Sequence, residues 1–170
     1  MKKIVIIGPE STGKSTLCAQ LSNHFNCSYL PEYARLYLEK NGKDYTFEDV
    51  LLMAKGQLES EQNFKPNTPF HFIDTNIIVF KVWIEKKYQL KVDWIEEEIK
   101  NDGSDFYFLC GTDIKWKDDP LRENPDQKDR EKLFKRYHEL ILQSKKPYAI
   151  LTGSENNRLK DALNYLKKIQ

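Results

Sequence analysis

The sequence has few of the features that mark secreted or membrane proteins. Its three cysteines are odd in number and contain no C-x-x-C pair, so we expect reduced thiols. No apolar run approaches the ~18 residues of a membrane-spanning helix. The N-terminal run Ile4–Ile7 is shorter than the hydrophobic segment of a signal peptide. These absences predict a cytoplasmic protein with no membrane partner.

The sequence also has little excess charge of either sign. Lysine and arginine number 27 against 26 aspartates and glutamates, a formal net charge of +1. Nucleic-acid-binding domains typically carry a strong basic surplus, so we expect no nucleic-acid partner. Hydrophobic residues make up 39% and charged residues 31%, an ordinary globular composition, and 170 residues fit one domain, residues 1–170.

Short apolar runs alternate with longer segments of helical spacing. The predicted strands are Lys3–Ile7, Ser28–Pro31, Phe70–Ile73, Phe106–Leu109 and Tyr148–Leu151. The predicted helices are Ser15–Phe25, Phe47–Gln62, Ile77–Lys87, Asp129–Gln143 and Asn157–Ile169. Most of these strands are continuously apolar, which is typical of parallel sheets buried on both faces. The pattern predicts an α/β fold with a parallel sheet of about five strands flanked by helices, and a turn at Pro66–Pro69.

A phosphate-binding loop follows the first predicted strand. Its sequence is Gly8-Pro9-Glu10-Ser11-Thr12-Gly13-Lys14-Ser15, which matches the P-loop pattern G-x-x-x-x-G-K-[ST]. Glycine at its two ends allows turns that a Cβ would obstruct, so the loop N–H groups can point at phosphate oxygens. We expect Lys14 to contact the β- and γ-phosphates and the Ser15 hydroxyl to ligate Mg²⁺. The loop therefore predicts binding of ATP with Mg²⁺, in a P-loop NTPase-type fold.

The rest of the sequence favours phosphoryl transfer to a small molecule. It contains no guanine-reading [NT]-K-x-D pattern, and the chain is too short for the two-domain arrangement of an AAA-type motor. The polar stretch Thr112–Arg136 follows the fourth predicted strand. There it can be a lid that closes over the phosphates, as in nucleoside kinases, or simply a solvated helical surface.

Two acids follow predicted strands, where ligands meet the sheet in open α/β folds. Asp74 ends the third strand, the place of an acid that holds Mg²⁺ through a water molecule; the alternative is a helix N-cap. Glu32 follows the second strand and can accept the proton of a substrate hydroxyl. The alternative for Glu32 is an acid in the first turn of a helix, where the helix dipole stabilises its negative charge. Arg35, one turn later, can orient Glu32 or lie in solvent.

Two arginines lie in the polar stretch, within the sequence WKDDPLRENPDQKDR. Arg122 can neutralise charge on a transferring phosphoryl group if this segment closes over the site. Arg130 can do the same, or it can be a surface residue paired with Asp126 four residues earlier.

With the loop, the segments EYAR, FIDT, WKDDPLR and GSENNRL occur in an order that resembles the ribosylnicotinamide kinase family. This is the kinase domain found at the C-terminal end of the bifunctional NadR proteins. The resemblance spans nearly the whole chain, and we expect it to stand alone here, without adenylyltransferase or DNA-binding parts. It implies ATP-dependent phosphorylation of the ribose 5′-hydroxyl of nicotinamide riboside, which gives nicotinamide mononucleotide.

The resemblance also implies roles for individual residues. The ATP-binding set that follows from it and from the loop is Gly8, Glu10, Ser11, Thr12, Gly13, Lys14, Ser15, Thr16, Asn157 and Arg158, with the last two near the adenine. Ser15 and Asp74 are the expected Mg²⁺ residues. The expected catalytic residues are Lys14, Glu32, Asp74 and Arg122, of which Glu32 lies on the acceptor side and Arg122 in the lid.

The acceptor itself stays open at this stage. Nicotinamide riboside carries a pyridinium charge, which aromatic faces and acids can hold. The candidate aromatic residues are Tyr33, Trp83, Tyr88 and Trp116, although packing is the alternative for each. The alternatives in function are a kinase with another nucleoside or nucleotide acceptor, and a non-catalytic module that senses ATP or NAD. The oligomeric state is not indicated.

Overall fold

The structure is a computed structural model that describes residues 1–65 and 68–169. The strands are β1 (Lys2–Ile7), β2 (Tyr29–Leu30), β3 (Phe70–Asp74), β4 (Phe106–Cys110) and β5 (Tyr148–Leu151). The helices are α1 (Lys14–Phe25), α2 (Tyr33–Asn41), α3 (Phe47–Asn63), α4 (Ile77–Tyr88), α5 (Asp93–Lys100), α6 (Gln127–Ser144) and α7 (Glu155–Ile169).

The strands form one parallel sheet in the order β2-β3-β1-β4-β5, which confirms the predicted fold class. Ile6 of β1 pairs with Asp74, so the loop after β1 starts beside the end of β3. Leu30 of β2 pairs with Ile73, so the ends of β2 and β3 are also level. The register therefore brings the three chain segments that follow β1, β2 and β3 to one edge of the sheet.

The core lies on both faces of the sheet because successive side chains of a strand point to opposite sides. Ile4 and Ile6 of β1 pack with α1 and α7 on one face. Val5 and Ile7 pack with α4 and α6 on the other face. A third cluster joins α2, α3, α4 and α5 beyond the edge of the sheet and supports the start of α2.

The five predicted strands are all present, but two helices, α2 and α5, are not among those predicted. Both are short, with 9 and 8 residues, so each offers few repeats of the apolar pattern. The stretch predicted as a lid, residues 112–136, divides in two. Its first part, residues 112–126, contains no helix or strand. Its second part, residues 127–136, forms the first turns of α6.

The turn expected at Pro66–Pro69 includes Pro66 and Asn67, which lie outside the described residues. The three cysteines are free thiols, as expected. None of the helices described over 1–65 and 68–169 combines the length and the apolar character needed to cross a membrane.

Candidate active site

The loop between β1 and α1 depends on its two glycines. Gly8 has a φ of 149°, and a Cβ there would lie 2.7 Å from the carbonyl oxygen of Cys110. Gly13 has a φ of 78° and is the left-handed N-cap of α1. Both conformations are readily adopted only by glycine. The N-terminus of α1 therefore faces the interior of the loop, where the helix dipole favours an anion.

Two buried arginines hold this loop by its carbonyl groups. Arg130, 1% exposed, donates from Nε to the oxygen of Glu10 at 3.3 Å and from Nη2 to that of Ser11 at 3.0 Å. Arg158, also 1% exposed, donates from Nη1 to the oxygen of Thr12 at 2.8 Å. Three consecutive carbonyls thus accept from charged donors, which form stronger hydrogen bonds than neutral ones.

The position of Arg130 differs from the surface pair with Asp126 that was one expectation for it. Arg130 does not pair with Asp126, whose carboxylate instead caps α6 by accepting from the backbone of Asp129. Arg158 forms an ion pair with Asp113 at 2.6 Å beneath the loop and does not line the cavity described below. Asn157 is exposed and is likewise absent from the cavity wall. Asn157 and Arg158 therefore do not face the interior of the loop, although Arg158 binds the loop from its carbonyl side.

Ser15 and Asp74 form the pair expected to hold Mg²⁺. The Ser15 hydroxyl donates to Oδ2 of Asp74 at 2.5 Å, and Asp74 is 2% exposed. Oδ1 of Asp74 is buried and has no hydrogen-bond partner in the described residues. Burial raises the pKa of Asp74, while the charge of Lys14 and the Ser15 hydroxyl act to lower it. A buried carboxylate oxygen without a partner, next to a serine hydroxyl, fits an oxygen-liganded cation such as Mg²⁺.

The alternative role of Asp74 as a helix N-cap is not found. Helix α4 begins at Ile77, and its N-cap is Asn76, whose side chain accepts from the backbone N–H of Ile78. The Asp74 carboxylate therefore does not cap α4; it reaches the cavity described below through Ser15 and does not itself line the wall.

Glu32 occupies the N-cap position of α2 but makes no capping hydrogen bond to that helix. Burial raises the pKa of Glu32 to about 7, with Lys14 acting against this shift and the negative charge of Asp74 adding to it. Lys14 itself donates from Nζ to the carbonyl oxygen of Pro9 at 2.8 Å. A carboxyl group with a pKa close to neutral can take up a proton during turnover.

The segment 112–126 is bound to the loop from one side. The Glu10 carboxylate accepts from the backbone N–H of Glu123 at 3.1 Å and of Asn124 at 2.9 Å. The Ser11 hydroxyl accepts from the backbone N–H of Lys117 at 2.9 Å. Arg122 donates to the same hydroxyl at 3.3 Å and lines the cavity. Two side chains of the loop, Glu10 and Ser11, therefore hold this segment over the site.

Side chains of α2, α4 and the loop after α2 bind the same segment from the other side. Arg35 forms an ion pair with Asp119 at 2.7 Å, so it neither orients Glu32 nor lies free in solvent. Tyr45 donates its hydroxyl to Glu123 at 2.7 Å, and Lys87 pairs with Glu123 at 3.1 Å. The segment thus spans the gap between the loop and the opposite wall.

One cavity of about 480 Å³ lies between these parts. Its loop side consists of residues 8–16. Its other walls are formed by Glu32, Ala34, Arg35, Leu38, Tyr45, Thr75, Val79, Val82, Trp83, Lys86, Lys87, Leu121, Arg122, Glu123, Asn124, Leu133 and Tyr137. Lys14, Ser15, Glu32 and Arg122, predicted from sequence, therefore face one space, and its volume is within the range of ligand pockets.

Of the four aromatic residues considered for the acceptor, Trp83 alone contributes to the cavity wall as described. Tyr33 packs on Gly56, and Tyr88 makes an edge contact with Phe47 at 5.1 Å between ring centroids. Trp116 lies 5.9 Å from the guanidinium carbon of both Arg122 and Arg130. Tyr33, Tyr88 and Trp116 therefore pack against other side chains, which was the alternative expected for each.

The cavity residues that were not singled out in the sequence include Thr75, Tyr45 and Tyr137. Thr75 could have been found, because it directly follows the predicted strand-end acid in the segment FIDT. Tyr45 lies between α2 and α3, and Tyr137 lies within α6, 6% exposed. No local pattern marks either position, since a long-range approach of separate elements places them there.

The chain is similar in sequence to NadR. It is 26% identical over 136 residues to the trifunctional NAD biosynthesis/regulator protein NadR of Salmonella typhimurium, covering 76% of this chain. The aligned part is 33% of that protein, so the chain spans about a third of the length of the curated relatives it matches. This similarity confirms the resemblance expected from the motifs.

Solved structures show the same fold. NadR in complex with NR gives a TM-score of 0.75 at 21% identity, over 98% of this chain and 50% of that one. NadR in complex with NAD and AMP-PNP gives 0.74 at 21% identity, over 98% and 49%. Deoxyadenosine kinase from M. mycoides, with products dCMP and a flexible dCDP bound, gives 0.68 at 17% identity, over 99% and 100%. The fold is thus one that NadR and nucleoside kinases share.

A protein-family model described as an AAA domain matches residues 3–158. The match includes the loop, both strand-end acids, the segment 112–126 and Arg158. Because it covers most of the 170 residues, the chain belongs to this AAA domain family.

Proposed function

We propose that this chain transfers the γ-phosphate of ATP to the ribose 5′-hydroxyl of nicotinamide riboside, forming nicotinamide mononucleotide. One observation carries the proposal: Glu32 faces the same cavity as Lys14 and Ser15 of the P-loop. A carboxylate opposite a phosphate-binding loop is what a hydroxyl acceptor requires. The similarity to NadR supports the choice of acceptor, since a NadR structure is a complex with NR.

ATP is proposed to bind with its phosphates inside residues 8–15. The N-terminus of α1 and the loop N–H groups supply donors there. Arg130 and Arg158 hold the opposite, carbonyl side of the loop and add positive charge beneath it. A NadR structure that contains AMP-PNP supports the choice of ATP as donor.

Lys14 changes partner in this proposal. Its ammonium group is bound to the Pro9 carbonyl, within the loop that would receive the phosphates. Phosphate oxygens carry more charge than a carbonyl oxygen and compete for the lysine. Lys14 then stabilises the γ-phosphate as negative charge redistributes in the transition state.

Ser15 and Asp74 are the residues that would hold Mg²⁺. Ser15 would use its hydroxyl, and Asp74 would use Oδ1, which has no hydrogen-bond partner within the described residues. The chemistry that this ion supplies when bound is neutralisation of charge on the phosphate oxygens. Asp74 must be ionised for this role. Lys14 favours the ionised form, against the burial that raises the pKa of Asp74.

Glu32 is the proton acceptor in the proposed transfer step. The oxygen of the acceptor hydroxyl forms a bond to the γ-phosphorus, while the bond from that phosphorus to the β–γ bridging oxygen breaks and ADP leaves. The hydroxyl proton passes to the Glu32 carboxylate. With a pKa of about 7, Glu32 is substantially ionised at neutral pH and still basic enough to accept this proton.

The acceptor end of the cavity holds aromatic and acidic groups that would receive a pyridinium ring in exchange for the Lys87 ammonium group, which lies 3.9 Å from the centroid of the Tyr45 ring. Tyr45 and Trp83 make an edge contact there with ring centroids 5.1 Å apart. Glu123 is also in the wall, and Lys87 is paired with it. An aromatic face with an acid nearby favours a cationic base over a neutral one of the same size.

A second candidate is a kinase for a nucleoside with a neutral base. Lys86 and Lys87 both line the cavity, and each brings a positive charge to the acceptor end. That charge disfavours a cationic acceptor unless its pairing with Asn124 and Glu123 is retained. The fold is also that of deoxyadenosine kinase.

Competition among acceptors tests the proposal and separates the two candidates. The purified protein receives ATP, Mg²⁺ and equal concentrations of nicotinamide riboside, its reduced neutral form, uridine, cytidine and deoxyadenosine, and the products are identified by mass spectrometry. We expect nicotinamide mononucleotide to dominate. Loss of the pyridinium charge in the reduced form should lower kcat/KM roughly 5- to 30-fold.

The Lys14→Ala protein serves as the control for contaminating kinases. Preferred use of deoxyadenosine, uridine or cytidine would support the second candidate instead. ATP binding without phosphorylation of any of the five nucleosides would leave the nucleotide-sensing alternative.

A further inference from the structure

The Thr75 hydroxyl forms no hydrogen bond with any residue that the structure describes. Thr75 follows Asp74 at the end of β3, is 1% exposed and lines the cavity. Its hydroxyl is buried and has no hydrogen-bond partner within the described residues. Buried hydroxyls are nearly always paired, so a buried hydroxyl without a protein partner on a cavity wall points to a ligand.

The backbone at Thr75 is held in a conformation that threonine rarely adopts. Its φ is 67°, in the left-handed region, where a β-branched residue is an outlier. The backbone N–H donates to the carbonyl of Ile6 at 2.9 Å, and the backbone carbonyl accepts from Nε2 of Gln57 at 3.2 Å. Bonds on both sides of the residue hold this conformation. Such outliers cluster at functional sites, where the surrounding structure maintains them.

The register of β2 and β3 brings Thr75 and Glu32 to the same edge of the sheet. Leu30 pairs with Ile73 across β2 and β3, and Glu32 and Thr75 each follow two residues later. Gln57, fully buried, accepts from the backbone N–H of Tyr33 at 3.0 Å while it donates to Thr75. One buried side chain therefore links the peptide group after Glu32 to Thr75.

We propose that the Thr75 hydroxyl binds the attacking hydroxyl group of the acceptor. The acceptor hydroxyl donates its hydrogen to Glu32, and the Thr75 hydroxyl donates to one lone pair of the same oxygen. The remaining lone pair then faces the γ-phosphorus. This inference rests on the proposed transfer to a hydroxyl acceptor but not on which nucleoside carries the hydroxyl.

The inference is tested by two substitutions of similar size. Thr75→Val removes the hydroxyl and keeps the branched shape, and Thr75→Ser keeps the hydroxyl. We expect kcat/KM for the acceptor to fall roughly 10-fold in Thr75→Val, while Thr75→Ser stays close to the wild type. ATP affinity measured by calorimetry without acceptor should remain within about twofold in both variants, because the hydroxyl is assigned to the acceptor.

Thermal unfolding supplies a readout that a structural role would move. The Thr75 hydroxyl has no hydrogen-bond partner in the part of the chain that the structure describes, so Thr75→Val should leave the melting temperature unchanged or raise it. The matched control is Thr68→Val, because Thr68 precedes β3 and so lies at the opposite end of that strand from Asp74 and Thr75. The Thr68 hydroxyl donates to the carbonyl of Phe70 at 2.8 Å, so this variant should melt earlier and keep its acceptor kinetics.

Three results would overturn the inference. An unchanged acceptor kcat/KM in Thr75→Val, or a melting temperature lowered as in Thr68→Val, would overturn the inference. So would a changed Mg²⁺ dependence with acceptor kinetics intact, which would assign the hydroxyl to the metal side. If the wild type uses another nucleoside, nicotinamide riboside is the wrong acceptor and Thr75→Val is measured on that nucleoside. If it phosphorylates none, both proposals fall.

Discussion

The two sides of the cavity are held together in different ways. The loop side, residues 8–16, is shaped by its own backbone and by the buried guanidinium groups of Arg130 and Arg158. The opposite wall is joined to the rest by side-chain pairs that are partly exposed, such as Arg35 with Asp119 and Lys87 with Glu123. Exposed ion pairs are weak, so the second side is easier to rearrange.

This difference corresponds to the two substrates proposed for the cavity. Triphosphate groups are the same in every ATP-dependent enzyme, and a rigid backbone site suits them. Acceptors differ in shape and charge, and a wall of separate side chains can change to suit them. The segment 112–126 contacts both sides, through Glu10 and Ser11 of the loop and through Tyr45 and Arg35 opposite.

Replacement of Lys14 by alanine should have the largest effect, because it removes a charge from the rigid side. We expect kcat/KM to fall on the order of 10³-fold, about 4 kcal/mol of transition-state stabilisation. The melting temperature should change little, since Lys14 contacts one carbonyl and is only half-buried. Steady-state kinetics check this, with the exposed Lys132→Ala as the matched control. Near-normal turnover in Lys14→Ala would refute the phosphate-binding role of the loop.

Replacement of Arg130 by glutamine should lower the free energy of unfolding, because Arg130 holds the rigid side of the cavity. The substitution leaves the buried carbonyl of Ser11 and the partly buried carbonyl of Glu10 without these donors, and we expect the free energy of unfolding to fall by about 3 kcal/mol. Arg136→Gln is the control on the same helix: it breaks a partly exposed pair with Glu85 and should lower stability by at most about 1 kcal/mol. Denaturant titrations measure both. Equal losses in the two variants would mean that the buried arginine is no more important than a surface pair.

Replacement of Glu32 by glutamine should affect chemistry rather than ATP binding. We expect kcat to fall about 100-fold, the typical contribution of a general base. Because the pKa of Glu32 is about 7 and the base acts when ionised, wild-type kcat/KM should rise with pH and level off above that value. The rise should be absent in Glu32→Gln. Retention of the same pH profile by the variant would assign the proton transfer to another group.

Asp74→Asn separates the two acids. This variant should need more Mg²⁺ for half-maximal activity, whereas Glu32→Gln should not, because Asp74 is the acid that contacts Ser15. The reverse pattern in a Mg²⁺ titration would exchange the two roles.

Replacement of Arg122 by alanine should have the smallest effect of the series. Arg122 donates to Ser11 and to the carbonyl of Lys117, so it joins the segment 112–126 to the loop. We expect kcat to fall roughly 10-fold, with ATP affinity in the absence of acceptor nearly unchanged. Calorimetry and steady-state rates distinguish the two quantities. A loss of ATP affinity with kcat intact would make Arg122 a static phosphate contact and place it with the rigid side.

The amino-acid sequence by itself determined the strands, most of the helices and the phosphate-binding loop. Each of these depends on residues close together in the chain: a buried strand needs a run such as Ile4–Ile7, and the loop needs Gly8 and Gly13 at a set spacing. The strand-end acids Asp74 and Glu32 could be placed for the same reason, because parallel strands bring their carboxyl ends to one edge of the sheet.

Only the tertiary structure decided the roles of the residues that approach from far along the chain. Arg158 lies 146 positions from Thr12, whose carbonyl it binds, and Glu10 lies 114 positions from Asn124. Nothing in the local sequence distinguishes Arg130, which holds the loop, from Arg136, which pairs at the surface. Local sequence sets backbone conformation, whereas the contacts of a long side chain depend on which elements the fold brings within its reach.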